Sequence, residues 1–145
     1  MTKMSMWAIY WRFYLVVFSV FLLTVLVIQL LPVLPLIPNT VYHPTAFWLM
    51  AGLITFILSL FVPQGLVYAC YGKRLSFRPV FWTRLHYCLY GLFGFLAAFA
   101  LIVQAVASPF VWAGYKLYCQ PAVLLLGPWV AVSLTLSVAK QNNRP

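Results

Sequence analysis

Basic and aromatic side chains alternate in one short stretch of the chain, residues 71–90, with the sequence YGKRLSFRPVFWTRLHYCLY. It carries four cations and no acidic residue that could pair with them: Lys73, Arg74, Arg78 and Arg84. Such a cluster is typical of a surface for nucleic acid, for anionic lipid, or for one specific phosphate group, which guanidinium binds through paired hydrogen bonds. The segment is too short to lay out a nucleic-acid interface, so we expect lipid phosphate and no nucleic acid as its partner.

The absence of carboxylates restricts the chemistry that the chain can perform. Its 145 residues include no Asp and no Glu. This excludes the paired carboxylates of glycoside hydrolases, a Ser-His-Asp triad, and carboxylate sites for Mg²⁺ or Ca²⁺. It also excludes, within this chain, the membrane carboxylate that usually carries the proton in exporters. We therefore expect a protein that is not an enzyme, and a partner must supply any carboxylate that its function requires.

Composition indicates that lipid surrounds most of the chain. Hydrophobic residues make up 66% of the sequence and charged residues 6%, whereas about 25% of the residues in a soluble domain are charged. Nine charges could not cover the surface of a soluble fold of this length. The sequence therefore predicts an all-α integral membrane protein with a single membrane domain, residues 1–145.

Four apolar segments have about the 20 residues that a helix needs to cross a bilayer. They run from about 8–31, 46–71, 85–106 and 121–139. Prolines and a short uncharged connection separate the first two, the basic cytoplasmic loop 72–84 separates the second from the third, and a short turn precedes the fourth. The N-terminal run lacks the cleavage site of a signal peptide, so we expect it to be retained.

The distribution of charge predicts the topology. Eight of the nine Lys and Arg residues fall at the termini or in the central loop, and only Lys116 falls in the opposite connections. The positive-inside rule then places both termini and the loop in the cytoplasm. The expected arrangement is two hairpins, with the N- and C-termini inside.

Prolines occupy similar places in the two predicted hairpins. Pro63 lies beside Gln64 and Gly65 in the second helix, and Pro128 follows Gly127 in the fourth. Interrupted helices at matching places in two halves point to a parallel repeat with a transport groove between the halves. The alternative is that the prolines only bend their helices.

Small residues recur on the third predicted helix, where they would allow another helix to approach closely. They are Gly91, Gly94, Ala98 and Ala105. The simpler expectation is packing within the chain, and the alternative is a homo-oligomer.

Histidines and cysteines predict no metal site and no cofactor. His43 and His86 fall on opposite sides of the predicted bilayer, so they could not share a metal or a haem. Cys70 and Cys88 lie at the cytoplasmic side, where reducing conditions disfavour a disulfide. Cys119 lies alone on the other side, and the chain contains no CxxC motif.

Three stretches resemble the GtrA-like family of small four-helix inner-membrane proteins. They are WRFYLVVFSV in the first helix, YGKRLSFR at the end of the second, and RLHYCLYGLFGF at the start of the third. The asparagines that the family usually shows in the first helix and before the basic turn are missing. The resemblance implies a role in moving polyprenyl-phosphate-linked sugars across the inner membrane for cell-envelope glycan modification.

These observations predict a small membrane protein that binds, and in the fuller hypothesis translocates, a phosphate-bearing lipid carrier for cell-envelope glycan synthesis. Arg74, Arg78 and Arg84 would hold the phosphate, while kinks at Pro63 and Pro128 would open the groove. One alternative is a non-catalytic subunit or assembly factor of a larger membrane complex, with a membrane protein as partner. A further alternative is an immunity or exclusion protein.

Overall fold

The part of the chain described by the structure is helical throughout. The computed structural model describes residues 3–31, 43–70, 75 and 77–141. Its helices are α1 (Lys3–Leu30), α2 (His43–Ser59), α3 (Leu66–Ala69), α4 (Pro79–Val106), α5 (Pro109–Gly114) and α6 (Gln120–Gln141), and a π-helical segment, Tyr115–Cys119, joins the last two. These ranges contain no strand, as the sequence predicts.

Three spans are long and apolar enough to cross a membrane: Met6–Leu30, Pro79–Val106 and Pro109–Gln141. Large apolar side chains such as Phe18, Leu22 and Phe110 lie on the outside of the bundle. An apolar exterior of this extent would promote aggregation in water but suits contact with lipid tails. The fold therefore indicates a multi-pass membrane protein.

The second predicted helix, over 46–71, is interrupted in the structure. α2 ends at Ser59, and the short helix α3 begins only at Leu66. Between them, Pro63 has no N–H with which to continue a helical ladder, and Gly65 adopts a positive φ of 91°. That φ lies in the left-handed region, which favours glycine. The two residues thus explain why one continuous helix does not form.

The last two spans begin earlier than the sequence predicts. α4 starts at Pro79 in the first helical turn, so its first residues occupy part of the predicted loop 72–84. The predicted turn before 121–139 is also helical, because α5, the π-helical segment and α6 form one span, Pro109–Gln141. Pro121 cannot donate to the carbonyl four residues earlier, and the Gln120 N–H bonds to Tyr115, five residues back. One wide π-helical turn therefore accommodates the proline without ending the helix.

Consecutive long helices pack antiparallel around an aromatic core. Trp48 on α2 stacks on Phe93 of α4 with ring centroids 6.1 Å apart, and Phe21 of α1 lies 5.4 Å from Phe47. α3 packs between α1 and α4. We call the end at which α1 and α4 begin and α6 ends the basal end. The end at which α2 and α5 begin is the distal end.

Candidate functional site

Arg12, on the second turn of the apolar part of α1, is the most deeply buried cation that the structure describes. Only 7% of its surface is exposed. Its Nη1 donates to the carbonyl of Ala8 at 2.5 Å, and its guanidinium carbon lies 4.5 Å from the ring centre of Trp11. Its Nε is buried and has no hydrogen-bond partner among the described residues. The guanidinium is therefore only partly satisfied.

No side chain anywhere in the sequence can neutralise Arg12, because the chain lacks both Asp and Glu. Moving a cation from water into the protein interior costs several kcal/mol. A close carboxylate normally offsets that cost. One carbonyl and one aromatic face recover only part of that cost. A buried cation in these surroundings favours an anion supplied by another molecule.

Cys70 lies on the same side of the bundle as Arg12. It is half-buried and packs against the core, and α3 just before it contacts α1. Cys70 directly follows α3, so Arg12 lies at the basal end close to the point where the basic segment begins. Lys73 and Arg74 follow Cys70 by three and four positions in the sequence, outside the described residues.

The other two predicted phosphate ligands are exposed. Arg78 occupies the N-cap position of α4, and Arg84 lies within the helix. Their grouping around one phosphate stays a prediction. The structure buries a different cation, Arg12, which the sequence indicated only as an orientation signal.

The break in the second span is packed tightly against α4. A Cβ atom added to Gly65 would lie 2.6 Å from the Cβ of His86, so only glycine allows this approach. The hydroxyl of Tyr90 lies 3.2 Å from Nε2 of His86 and 3.0 Å from Oγ of Ser59. These polar contacts join the end of α2 to α4. Irregular backbone is tolerated at membrane depth when protein covers it in this way.

The two prolines of the predicted groove have unlike environments. Pro63 is exposed within the break, whereas Pro128 is buried inside the uninterrupted helix α6. Beside Pro128, Gly127 packs so closely on Leu92 that an added Cβ would lie 2.5 Å from its Cδ1. The hydroxyl of Tyr10 donates to the Leu125 carbonyl at 3.1 Å, one residue after the carbonyl that Pro128 cannot bond. Pro63 therefore lies in a break between two helices and Pro128 within a continuous helix, and the groove between them stays a prediction.

The small residues of α4 face outward. Gly91, Gly94, Ala98 and Ala105 are all exposed, and a Cβ added to either glycine would meet no atom within 4 Å. The expected packing of these residues within the chain is not seen among the described residues. Their face remains open to lipid or to another helix.

Comparison with known proteins gives no match. No protein-family model matches the chain, and neither a curated protein nor a solved structure does so. The resemblance to GtrA-like proteins stays a prediction.

The chemistry available at Arg12 is binding. A guanidinium remains protonated in proteins, so it can neither accept a proton nor attack a substrate. It can hold an oxyanion through two parallel hydrogen bonds. Within residues 3–31, 43–70, 75 and 77–141, no three His, Cys, Asp or Glu side chains lie close enough to hold a metal ion.

Proposed function

We propose that this protein is a four-span protein of a bacterial inner membrane that binds a phosphate-bearing, polyprenyl-linked lipid carrier used in cell-envelope glycan synthesis. Both termini and the basal end face the cytoplasm. The observation that carries the proposal is Arg12, a cation with 7% exposure in a chain that contains no carboxylate side chain. The carrier's phosphate supplies the missing counter-charge.

The basal end also concentrates the charges that attract such a lipid. Arg78 and Arg84 are exposed there, and the sequence adds Lys73 and Arg74 just after Cys70. Basic clusters at a membrane surface contribute about 1 kcal/mol per residue toward binding anionic lipid. In this proposal the exposed cations attract the anionic headgroup of the lipid carrier, and Arg12 binds its phosphate.

The helix that carries Arg12 also offers a surface for the hydrocarbon chain. α1 and α6 enclose an apolar cleft of about 500 Å³, lined by Met6, Trp7, Tyr10, Leu125, Leu126 and Trp129. A lipid carrier combines an anionic head with a long apolar tail, and this cleft accepts an apolar chain. The tail distinguishes the proposed ligand from free phosphate.

Binding to the purified protein tests the proposal. We expect a labelled polyprenyl phosphate to bind saturably in neutral detergent, and the corresponding polyprenol, which lacks phosphate, to compete at least about tenfold less well because it forms no charge-assisted hydrogen bond. Arg78→Ala and Arg84→Ala should each weaken binding only a few-fold, as exposed charges do. Equal competition by the neutral polyprenol would contradict a phosphate site.

A second candidate function, subunit of a larger membrane complex, is favoured by the exposed small face of α4. A partner helix could pack on Gly91 and Gly94, and a partner carboxylate could pair with Arg12. Small residues exposed on a transmembrane helix allow such close packing.

Gentle extraction and mass spectrometry distinguish the two functions. If the chain is a subunit, a partner protein should co-purify, and Gly91→Leu or Gly94→Leu should release it by blocking close approach. Ala113→Leu, at an exposed residue of α5, is the matched control and should retain the partner. Recovery of the chain alone, together with tight lipid binding, would exclude the subunit function.

A further inference from the structure

The distal end contains a cavity that no part of the proposed function uses. It is widely open to the outside, has a volume of about 700 Å³ and lies between α1, the start of α2 and the start of α6. Its polar lining comes from His43, Lys116 and Gln120, and its apolar lining includes Phe21, Phe47 and Leu124. A cavity of this size is in the range that holds a small ligand.

The π-helical segment directs Lys116 into this cavity. Pro121 causes the wide turn, which inserts one extra residue into the helical path between α5 and α6. One additional residue rotates the preceding helix by about 100° relative to α6. Such π-turns are frequent at functional sites because they reposition individual side chains.

Lys116 differs from the other described cations in its location. Arg12, Arg78, Arg84 and Lys140 belong to the basal end, whereas Lys116 lies at the distal end. Its ammonium group lies 5.1 Å from the ring centre of Trp112, and the sequence provides no carboxylate to pair with it. The cation therefore remains available to an anion from outside the chain.

The remaining polar groups of the cavity are mostly hydrogen-bond donors. Nε2 of His43 is buried and has no partner among the described residues. Gln120 adds an amide, which supplies two N–H donors and one acceptor. An ammonium, an imidazole and an amide N–H in one cavity match the several oxygens of a phosphate group better than they match a neutral or cationic ligand.

We propose that this distal cavity is a second, separate phosphate-binding site, built on Lys116, His43 and Gln120. Its ligand is the phosphate of a phosphomonoester headgroup, whose apolar part contacts Phe21, Phe47 and Leu124. The same chemistry would also accept inorganic phosphate, so the two sources must be distinguished by experiment. The site does not depend on Arg12, and it stands whether or not the basal end binds a lipid carrier.

A fluorescent label on Cys119 reports on this cavity, because Cys119 is exposed and adjacent to Gln120. The full-length Cys70→Ser/Cys88→Ser protein would be labelled with an environment-sensitive maleimide and titrated with dihexanoyl phosphatidic acid, dihexanoylglycerol or inorganic phosphate. We expect a saturable change with phosphatidic acid and none with the neutral dihexanoylglycerol. Titration calorimetry on the unlabelled Arg12→Met protein, which lacks the proposed basal site, should give the same affinity.

Variants assign the binding to Lys116. Lys116→Gln should weaken phosphatidic acid binding at least about tenfold, because it removes a charged hydrogen-bond donor. Lys116→Arg should restore most of the affinity, and Lys140→Gln, which removes an exposed charge at the basal end, should leave it unchanged.

Each outcome of these titrations has a defined meaning. Binding of phosphatidic acid alone identifies a lipid headgroup as the ligand, and equal binding of inorganic phosphate identifies the free ion; both support a phosphate site. An equal response to dihexanoylglycerol, or an unchanged affinity in a folded Lys116→Gln protein, would overturn the proposal. An Arg12 variant that no longer binds polyprenyl phosphate but still binds phosphatidic acid in the distal cavity would show that the two sites are separate.

Discussion

Replacement of Arg12 by methionine is expected to stabilise the unliganded protein while abolishing its binding of polyprenyl phosphate. Methionine has a similar length and no charge, so it fills the space without the desolvation penalty of the guanidinium. Exchange of buried ionic groups for apolar residues of similar volume often stabilises a protein by about 1–4 kcal/mol. Thermal denaturation in neutral detergent would measure the gain as a higher Tm.

The same substitution should weaken lipid binding at least about 30-fold, as loss of one partner from a buried charge pair does. Arg12→Lys retains the charge but not the bidentate geometry, so we expect intermediate binding. Arg84→Met is the matched control, because it makes the same change at an exposed position; it should weaken binding only a few-fold and leave the Tm nearly unchanged. Reduced stability in unliganded Arg12→Met would contradict the view that the charge lacks an internal partner. Unchanged binding would remove Arg12 from the phosphate site.

Substitution of Gly65 by alanine is expected to cause the largest loss of stability of any Gly→Ala change among the described glycines. Two effects add: Gly65 has a φ of 91° and a ψ of 164°, a combination that is open almost only to glycine, and the new Cβ would lie 2.6 Å from that of His86. The backbone term costs about 1–3 kcal/mol and the overpacking about 1–3 kcal/mol. Thermal denaturation and the fraction of protein recovered as a monodisperse species would measure the loss.

Two further variants separate these effects. Gly52→Ala is the matched control, because its Cβ would meet nothing within 4 Å, and we expect no loss of stability. In a His86→Gly background the contact is absent, so adding Gly65→Ala to that single variant should cost only the backbone term. If Gly65→Ala retained the stability of the wild-type protein, the close packing of the break against α4 would be incorrect.

Sequence reasoning predicted the helical class but not the position of the buried cation. Arg12 is spaced three residues from Ile9 and four from Val16, both buried, so helical periodicity could have placed it on the inward face of α1. The functional prediction instead used the arginines of the basic segment, of which Arg78 and Arg84 are exposed. Charge counts identify which end of a span is basic, whereas the burial of one cation depends on packing partners distant in sequence.

The interrupted second span and the continuous fourth span show a related limit. Pro63 and Pro128 are both interior prolines of apolar segments, yet the helix breaks at Pro63 and continues through Pro128. The difference comes from neighbours: His86 packs against Gly65 at the break, and Tyr10 donates to a carbonyl near Pro128. Because these contacts are long-range, local residue preferences could not predict the two outcomes.

The early end of α2 also has a consequence for the surrounding bilayer. Its 17 residues rise only about 26 Å as a helix, less than the roughly 30 Å hydrocarbon core of a typical membrane. If lipid matched α2 alone, the bilayer beside it would thin, and a protein with such a mismatch is best accommodated where the membrane is already thin. Thinning beside α2 would lower the basal headgroup layer toward α3 and would shorten the path of a lipid phosphate to Arg12.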